Sequence, residues 1–310
     1  MTPSPGPLPS RRALGLGLAA FAGMGCATPV AAPDRNLVQP FSPSLQAKRF
    51  AGRSQPFVVR FTRGGRSLAC VAAQHSIDAE GATFTAVRRA LAQTSPAVLI
   101  VEGFPTERGE NPASIVRLVA ERNQPGADSY ARGEAAFAIS LALEAGVPFL
   151  GGEPTDKALL AAQVGEGFQP DHIHFITMIK VLGQDIAAGV FTGPSDPRFP
   201  AAFRTWDEIL AADAGRSITS PEAFAAWYQR TFGRALEADP AWLSRADPGG
   251  AGLGAAIARS QSLLRDRHLF DVAMAQLQTR RRVLIVYGPS HLAALWGAFA
   301  HVLGDPTITA

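Results

Sequence analysis

The chain has 310 residues, 47% hydrophobic and 18% charged, ordinary for a globular core and long enough for one large domain or two small ones. Its net charge of +3 and pI of about 9.2 mislead about partners. Residues 1–66 hold nine Lys/Arg and one acid, Asp34, which leaves 20 basic and 25 acidic groups, net −5, in residues 67–310; that distribution excludes a nucleic-acid footprint.

The N-terminus reads as an export signal. Ser10-Arg11-Arg12-Ala13-Leu14 is a twin-arginine pattern, and the apolar run Ala13 to Gly25 behind it is too short to span a bilayer, so residues 1–32 are expected to be a signal peptide. Two cleavage points stay open. Gly25-Cys26 is a candidate lipoprotein junction that would leave Cys26 acylated; Val30-Ala31-Ala32 is a signal-peptidase site followed by Pro33. Either places the protein in the periplasm or on a membrane reached only through a lipid anchor at Cys26. The folded part then holds one cysteine, Cys70, so no intramolecular disulfide is expected. Residues 33–55, rich in Pro, Ser and Ala, read as a linker.

Residues 56–310 read as a single α/β domain. Phe57–Phe61 and Leu68–Gln74 are strands flanking a Gly64-Gly65 turn, a hairpin by its turn chemistry. Thr83–Gln93 is helical, and Ala97–Glu102 is an apolar strand ending on a carboxylate. Asn111-Pro112 is expected to open a helix to Arg122, with Asn at the cap and Pro at the first position. The Ala-rich stretch Arg132–Ala145 is helical up to Gly146, and Val147–Gly151 is a fourth strand leading to Glu153. No strand is expected across about 157–280, where helical periodicity recurs at 157–164, 171–190, 200–213, 221–235 and 255–279. Val283–Leu303 closes the chain as strand, turn and helix; Gly288-Pro289-Ser290-His291 in its middle argues against a transmembrane reading. The expected fold is a central, mostly parallel sheet with flanking helices and a long helical insertion.

Ligands of open α/β sheets gather beyond the carboxyl ends of the strands. His75, Glu102 and His291 each sit just past an apolar strand, and two imidazoles with a carboxylate suit a divalent ion such as Zn²⁺, Mn²⁺ or Co²⁺. Arg108 and Arg265 are candidates for holding a carboxylate or an oxyanion, and Glu153 is a candidate fourth ligand or base. Asp266 is expected to orient a His or pair with an Arg. Ser290 is a weak nucleophile candidate, since Leu292 stands where a nucleophile elbow wants a small residue. His172 and His174, two apart on a helix, face different sides and read as structural or solvated.

Gly288-Pro289-Ser290-His291-Leu292 resembles the second Gly-x-x-His motif of the TraB/GumN/Tiki group, which is related to erythromycin esterase-like and ChaN-like proteins. Arg265-Asp266, opening the helix that feeds this strand, is similar to that family's Arg-Asp pair; Arg108 resembles the Arg that follows its Glu. His75 falls where the family has its first Gly-x-x-His, although Ala72 replaces the Gly, and Glu102 falls at its Glu. The resemblance covers roughly residues 67–156 and 255–304. It implies a metal-dependent hydrolase of a peptide or a small-molecule ester, as in the Tiki and erythromycin esterase-like members. The alternative it implies is a ChaN-like envelope lipoprotein that binds haem or another ligand, or a non-catalytic member.

Overall fold

The computed structural model describes residues 31–76, 78, 80–122, 133–214 and 219–309; Arg11, Arg12 and Cys26, and with them the export reading, lie outside the described residues. The hairpin forms as expected: β1 (Phe57–Arg63) pairs antiparallel with β2 (Arg66–Ala72) around Gly64-Gly65, both with positive φ. After α2 (Ala82–Thr94) come β3 (Val98–Pro105), α3 (Ala113–Arg122), α4 (Gly133–Glu144) and β4 (Phe149–Glu153). The insertion supplies α5 (Asp156–Gly165), α6 (Pro170–Ala187), α7 (Phe199–Ala214) and α8 (Pro221–Phe232), and the long α9 (Gly252–Thr279) returns the chain to β5 (Arg282–Tyr287). The last elements are α10 (Pro289–Leu303) and a short β6 (Thr307–Thr309), an edge strand with no expectation in the sequence.

The sheet order is β4-β3-β5-β2-β1-β6. Strands β4, β3, β5 and β2 run parallel, and β1 runs against them, pairing antiparallel with both β2 and β6. The parallel strands are near-continuous apolar runs because both faces are covered. Alternation sorts their side chains: Val98, Ile100, Leu68, Cys70, Val283, Ile285 and Tyr287 share one core, while Leu99, Val101, Ala69, Val71, Leu284 and Val286 share the other. Helices α9 and α10 bring Leu269, Phe270 and Phe299 to the first core; α2 and α4 bring Phe84 and Phe137 to the second. The insertion has a third core of its own, around Ile176, Phe203, Phe224, Trp227 and Tyr228. Cys70 is buried in its strand with a thiol pKa pushed far up by burial, an inert core residue. Among the described residues no helix is long and apolar enough to cross a membrane.

Two local expectations need correction. The segment read as a linker, 33–55, is partly docked: a helix α1 (Pro43–Arg49), capped by Ser42, packs on α10, Val38 and Phe50 are buried, and the Gln39 N–H donates to Ala294 O at 3.0 Å. Nor does Asn111 cap a helix. Its φ of 48° is left-handed, and its Oδ1 accepts from the Phe149 N–H at 2.9 Å, so it hooks the loop to β4 while α3 starts at Ala113.

Candidate active site

The carboxyl ends of β2, β3, β4 and β5 open on one edge, and the order β4-β3-β5-β2 brings His75, Glu102, Glu153 and His291 to it. Glu102 continues the alternation of Val98 and Ile100, which turns it toward the α9 side of the sheet. Directly after it β3 bulges: between the pairs Val101–Gly151 and Pro105–Glu153, four steps of β3 match two of β4. Gly103 takes φ 102° there. The bulge presses the Phe104 carbonyl so close to Gly151 that a Cβ would stand 1.9 Å from its oxygen. At Gly152 a Cβ would meet the Tyr287 hydroxyl at 2.3 Å. Two successive glycines in β4 are thus what let β3 and Tyr287 close over the site.

His291 is 8% exposed and stands in the first turn of α10, after Gly288 and Pro289. Its Nδ1 lies 2.5 Å from Asp266 Oδ1, and its Nε2 lies 3.4 Å from Glu102 Oε1. Burial disfavours the imidazolium, but the charges of Asp266 and Glu102 and their hydrogen bonds overcome it and lift the His291 pKa to about 10. Glu102 also takes Arg265 Nη2 at 3.2 Å on Oε1 and the Gly288 N–H at 3.1 Å on Oε2. Burial alone would raise its pKa; His291, Arg265 and Gly288 instead hold its carboxyl far below the usual range.

Arg265 clamps Glu153 with two parallel bonds, Nε to Oε2 and Nη2 to Oε1, both 2.6 Å, and the Tyr287 hydroxyl donates to the same Oε1 at 3.1 Å. Against the pull of burial, this clamp lowers the Glu153 pKa. Arg265 and Asp266 both come from the middle of α9 rather than its start, which places adjacent residues on two different partners. His75 is held from the opposite layer: its Nδ1 lies 2.6 Å from Glu134 Oε1 on α4, and Glu134 also accepts the Ser76 N–H at 3.3 Å. The hydrogen bond to Glu134 raises the His75 pKa despite partial burial, and the charges of Glu102 and His291 act on it too. Its side chain stays 77% exposed.

The expected residues therefore share one sheet edge, with unequal engagement. Glu102 and His291 touch; His75 lies within electrostatic reach of both. Glu153 and Arg265 satisfy each other. Arg108 is exposed on the turn Thr106–Arg108 and makes no ion pair among the described residues. Glu134 and Tyr287 escaped the sequence reading, as did Lys180 on α6, whose Nζ donates to Gln261 Oε1 at 2.6 Å. His174 is a satisfied core residue, its Nε2 2.7 Å from the buried Asp207. Compared with known proteins, the chain matches no family model, no curated protein and no solved structure.

Proposed function

We propose that this chain is an exported hydrolase of the TraB/GumN/Tiki type, cleaving a peptide or small-molecule ester bond at the carboxyl edge of its sheet. The observation that supports the reading is a pair of imidazoles, His291 and His75, each with Nδ1 bonded to a carboxylate on a helix, near the same Glu102. A carboxylate on Nδ1 fixes tautomer and ring orientation and leaves Nε2 for a proton, a substrate or a metal.

In chemistry the two Nε2 atoms and a Glu102 oxygen suit Zn²⁺, Mn²⁺ or Co²⁺, though among the described residues no three His, Cys, Asp or Glu side chains form a group that would hold an ion. A divalent ion, when bound, supplies water activation and carbonyl polarisation. The protein's own groups do the rest. Asp266 holds the His291 ring; Arg265 and the Gly288 N–H hold Glu102 ionised; Tyr287 and Arg265 fix Glu153. A metal-free version is favoured by one feature: His291, held as an imidazolium between Asp266 and Glu102, is a fixed positive charge that can hydrogen-bond an anionic or carbonyl oxygen at the edge of the sheet.

Metal content and hydrolysis of nitrophenyl esters and peptides by His291→Ala, Glu102→Gln and Ser290→Ala test this. His291→Ala should lose at least a hundredfold in rate, and bound metal with it, while Ser290→Ala keeps substantial activity, on the order of effects seen for acid–base groups. Chelator-resistant activity that is still lost in His291→Ala selects the metal-free version. Full activity in both His291→Ala and Glu102→Gln would sink the enzyme reading; a haem Soret shift lost in His291→Ala would then support the ChaN-like one.

A further inference from the structure

The guanidinium at the centre of the site is already engaged. Arg265, expected to hold a carboxylate or stabilise an oxyanion, spends its guanidinium on Glu153 and Glu102, and Arg108 is exposed on its turn. Lys180 is a cation within electrostatic reach of the same cluster. It projects from α6 of the insertion, half-buried, and its Nζ donates to Gln261 Oε1 at 2.6 Å. Gln261 is one turn ahead of Arg265 on α9, so the two face the same way, and its Nε2 donates in turn to Thr177 Oγ1 at 3.3 Å. An ammonium has three N–H donors. Among the described residues only the Gln261 bond engages that of Lys180.

We propose that Lys180 is the substrate-facing cation of this site, donating to the carbonyl oxygen of the scissile bond and to the oxyanion that develops on it. The inference rests on the hydrolase reading, and it assigns the helical insertion a direct part in the chemistry. The charged groups acting on Lys180 are Arg265 from α9, Glu153 from β4 and Glu102 from β3. Burial and Arg265 lower its pKa to about 8 while the two carboxylates hold it up, so the ammonium persists at neutral pH. The low pKa marks an ammonium that is weakly solvated, with only one of its N–H donors engaged by Gln261, the state in which a donor binds a developing negative charge strongly.

The test pairs kinetics with an activity-independent probe. Lys180→Met keeps the stem and removes the ammonium; Lys157→Met, on the exposed face of α5, is the charge control. With p-nitrophenyl acetate, Lys180→Met should lose about 100- to 1,000-fold in kcat with little change in KM. Added ethylammonium should restore part of the loss in Lys180→Ala, which a structural role would not allow. Phenylphosphonate, a tetrahedral anion, should bind the wild type and Lys157→Met alike and Lys180→Met at least tenfold more weakly in calorimetry. Wild-type inactivity combined with Lys180-dependent phosphonate binding would refute the hydrolase reading and keep Lys180 as the anion donor. A folded Lys180→Met within threefold of wild type in kcat, or phosphonate binding indifferent to Lys180, overturns the proposal.

Discussion

Replacing Arg265 with Met isolates what the guanidinium does for the two carboxylates it clamps. The substitution keeps much of the stem and removes two charge-assisted bonds of 2.6 Å to Glu153 and one of 3.2 Å to Glu102. Glu102 retains His291 and the Gly288 N–H, so Glu153 bears most of the loss, left with only the Tyr287 hydroxyl on its side chain. A buried carboxylate that loses its bonded counter-ion, with His291 and Lys180 acting on it only at longer range, raises its pKa toward the point where protonation is the cheaper state. That sets a ceiling: holding Glu153 protonated costs about 1.4 kcal/mol per pH unit above its unfolded pKa of about 4.3, hence about 4 kcal/mol at pH 7 and about 1 kcal/mol at pH 5. The sign follows from linkage. In the wild type Glu153 has a lowered folded pKa, so its contribution is present above about 4.3 and lost as pH falls. In Arg265→Met the folded pKa is raised, so stability falls as pH rises from about 4.3. Urea unfolding of both proteins at pH 5, 6 and 7 should show the gap widening by roughly 1.4 kcal/mol per unit. A pH-independent gap would mean that lost packing, not the carboxylates, accounts for the destabilisation, and the charge argument for this site would fail.

Glu134→Gln keeps the shape of the His75 contact but removes its charge, so the His75 midpoint, raised in the wild type, should drop toward the ordinary imidazole value in an NMR titration; an unchanged midpoint would show that Glu134 does not hold this ring. Replacing Arg11 and Arg12 together with Lys should leave the precursor in the cytoplasm, as expected of a twin-arginine signal, and mass spectrometry of the mature N-terminus distinguishes acylated Cys26 from cleavage after Ala32; unaffected export would refute that reading.

The sheet was legible because its central strands are covered on both faces and therefore spelled as short unbroken apolar runs ending at Gly, His or a carboxylate. The strand ends pointed to His75, Glu102 and His291 for the same reason. Their partners were not legible. Glu134 is 59 positions from His75 in a helix that reads only as Ala-rich, and Lys180 is one of several polar residues on α6, its neighbour Gln261 lying 81 positions on. Such pairings are set by how layers stack, which periodicity does not encode. Arg265 was found as a residue that could hold a carboxylate or an oxyanion, but nothing in the sequence says that the carboxylates it reaches are Glu153 and Glu102. The docking of Val38 and Phe50 went unread since two apolar residues in a Pro/Ser-rich stretch carry no period.

The three-residue β6 matters out of proportion to its length. It pairs Thr309, Ile308 and Thr307 with Val58, Val59 and Arg60, and among the described residues it is the strand that covers the outer hydrogen-bonding side of β1. An uncovered edge of that kind is a template for another molecule's strand. The last turn of chain therefore works as a guard against self-association, and its interruption would be felt first as clumping at high concentration rather than as lost fold.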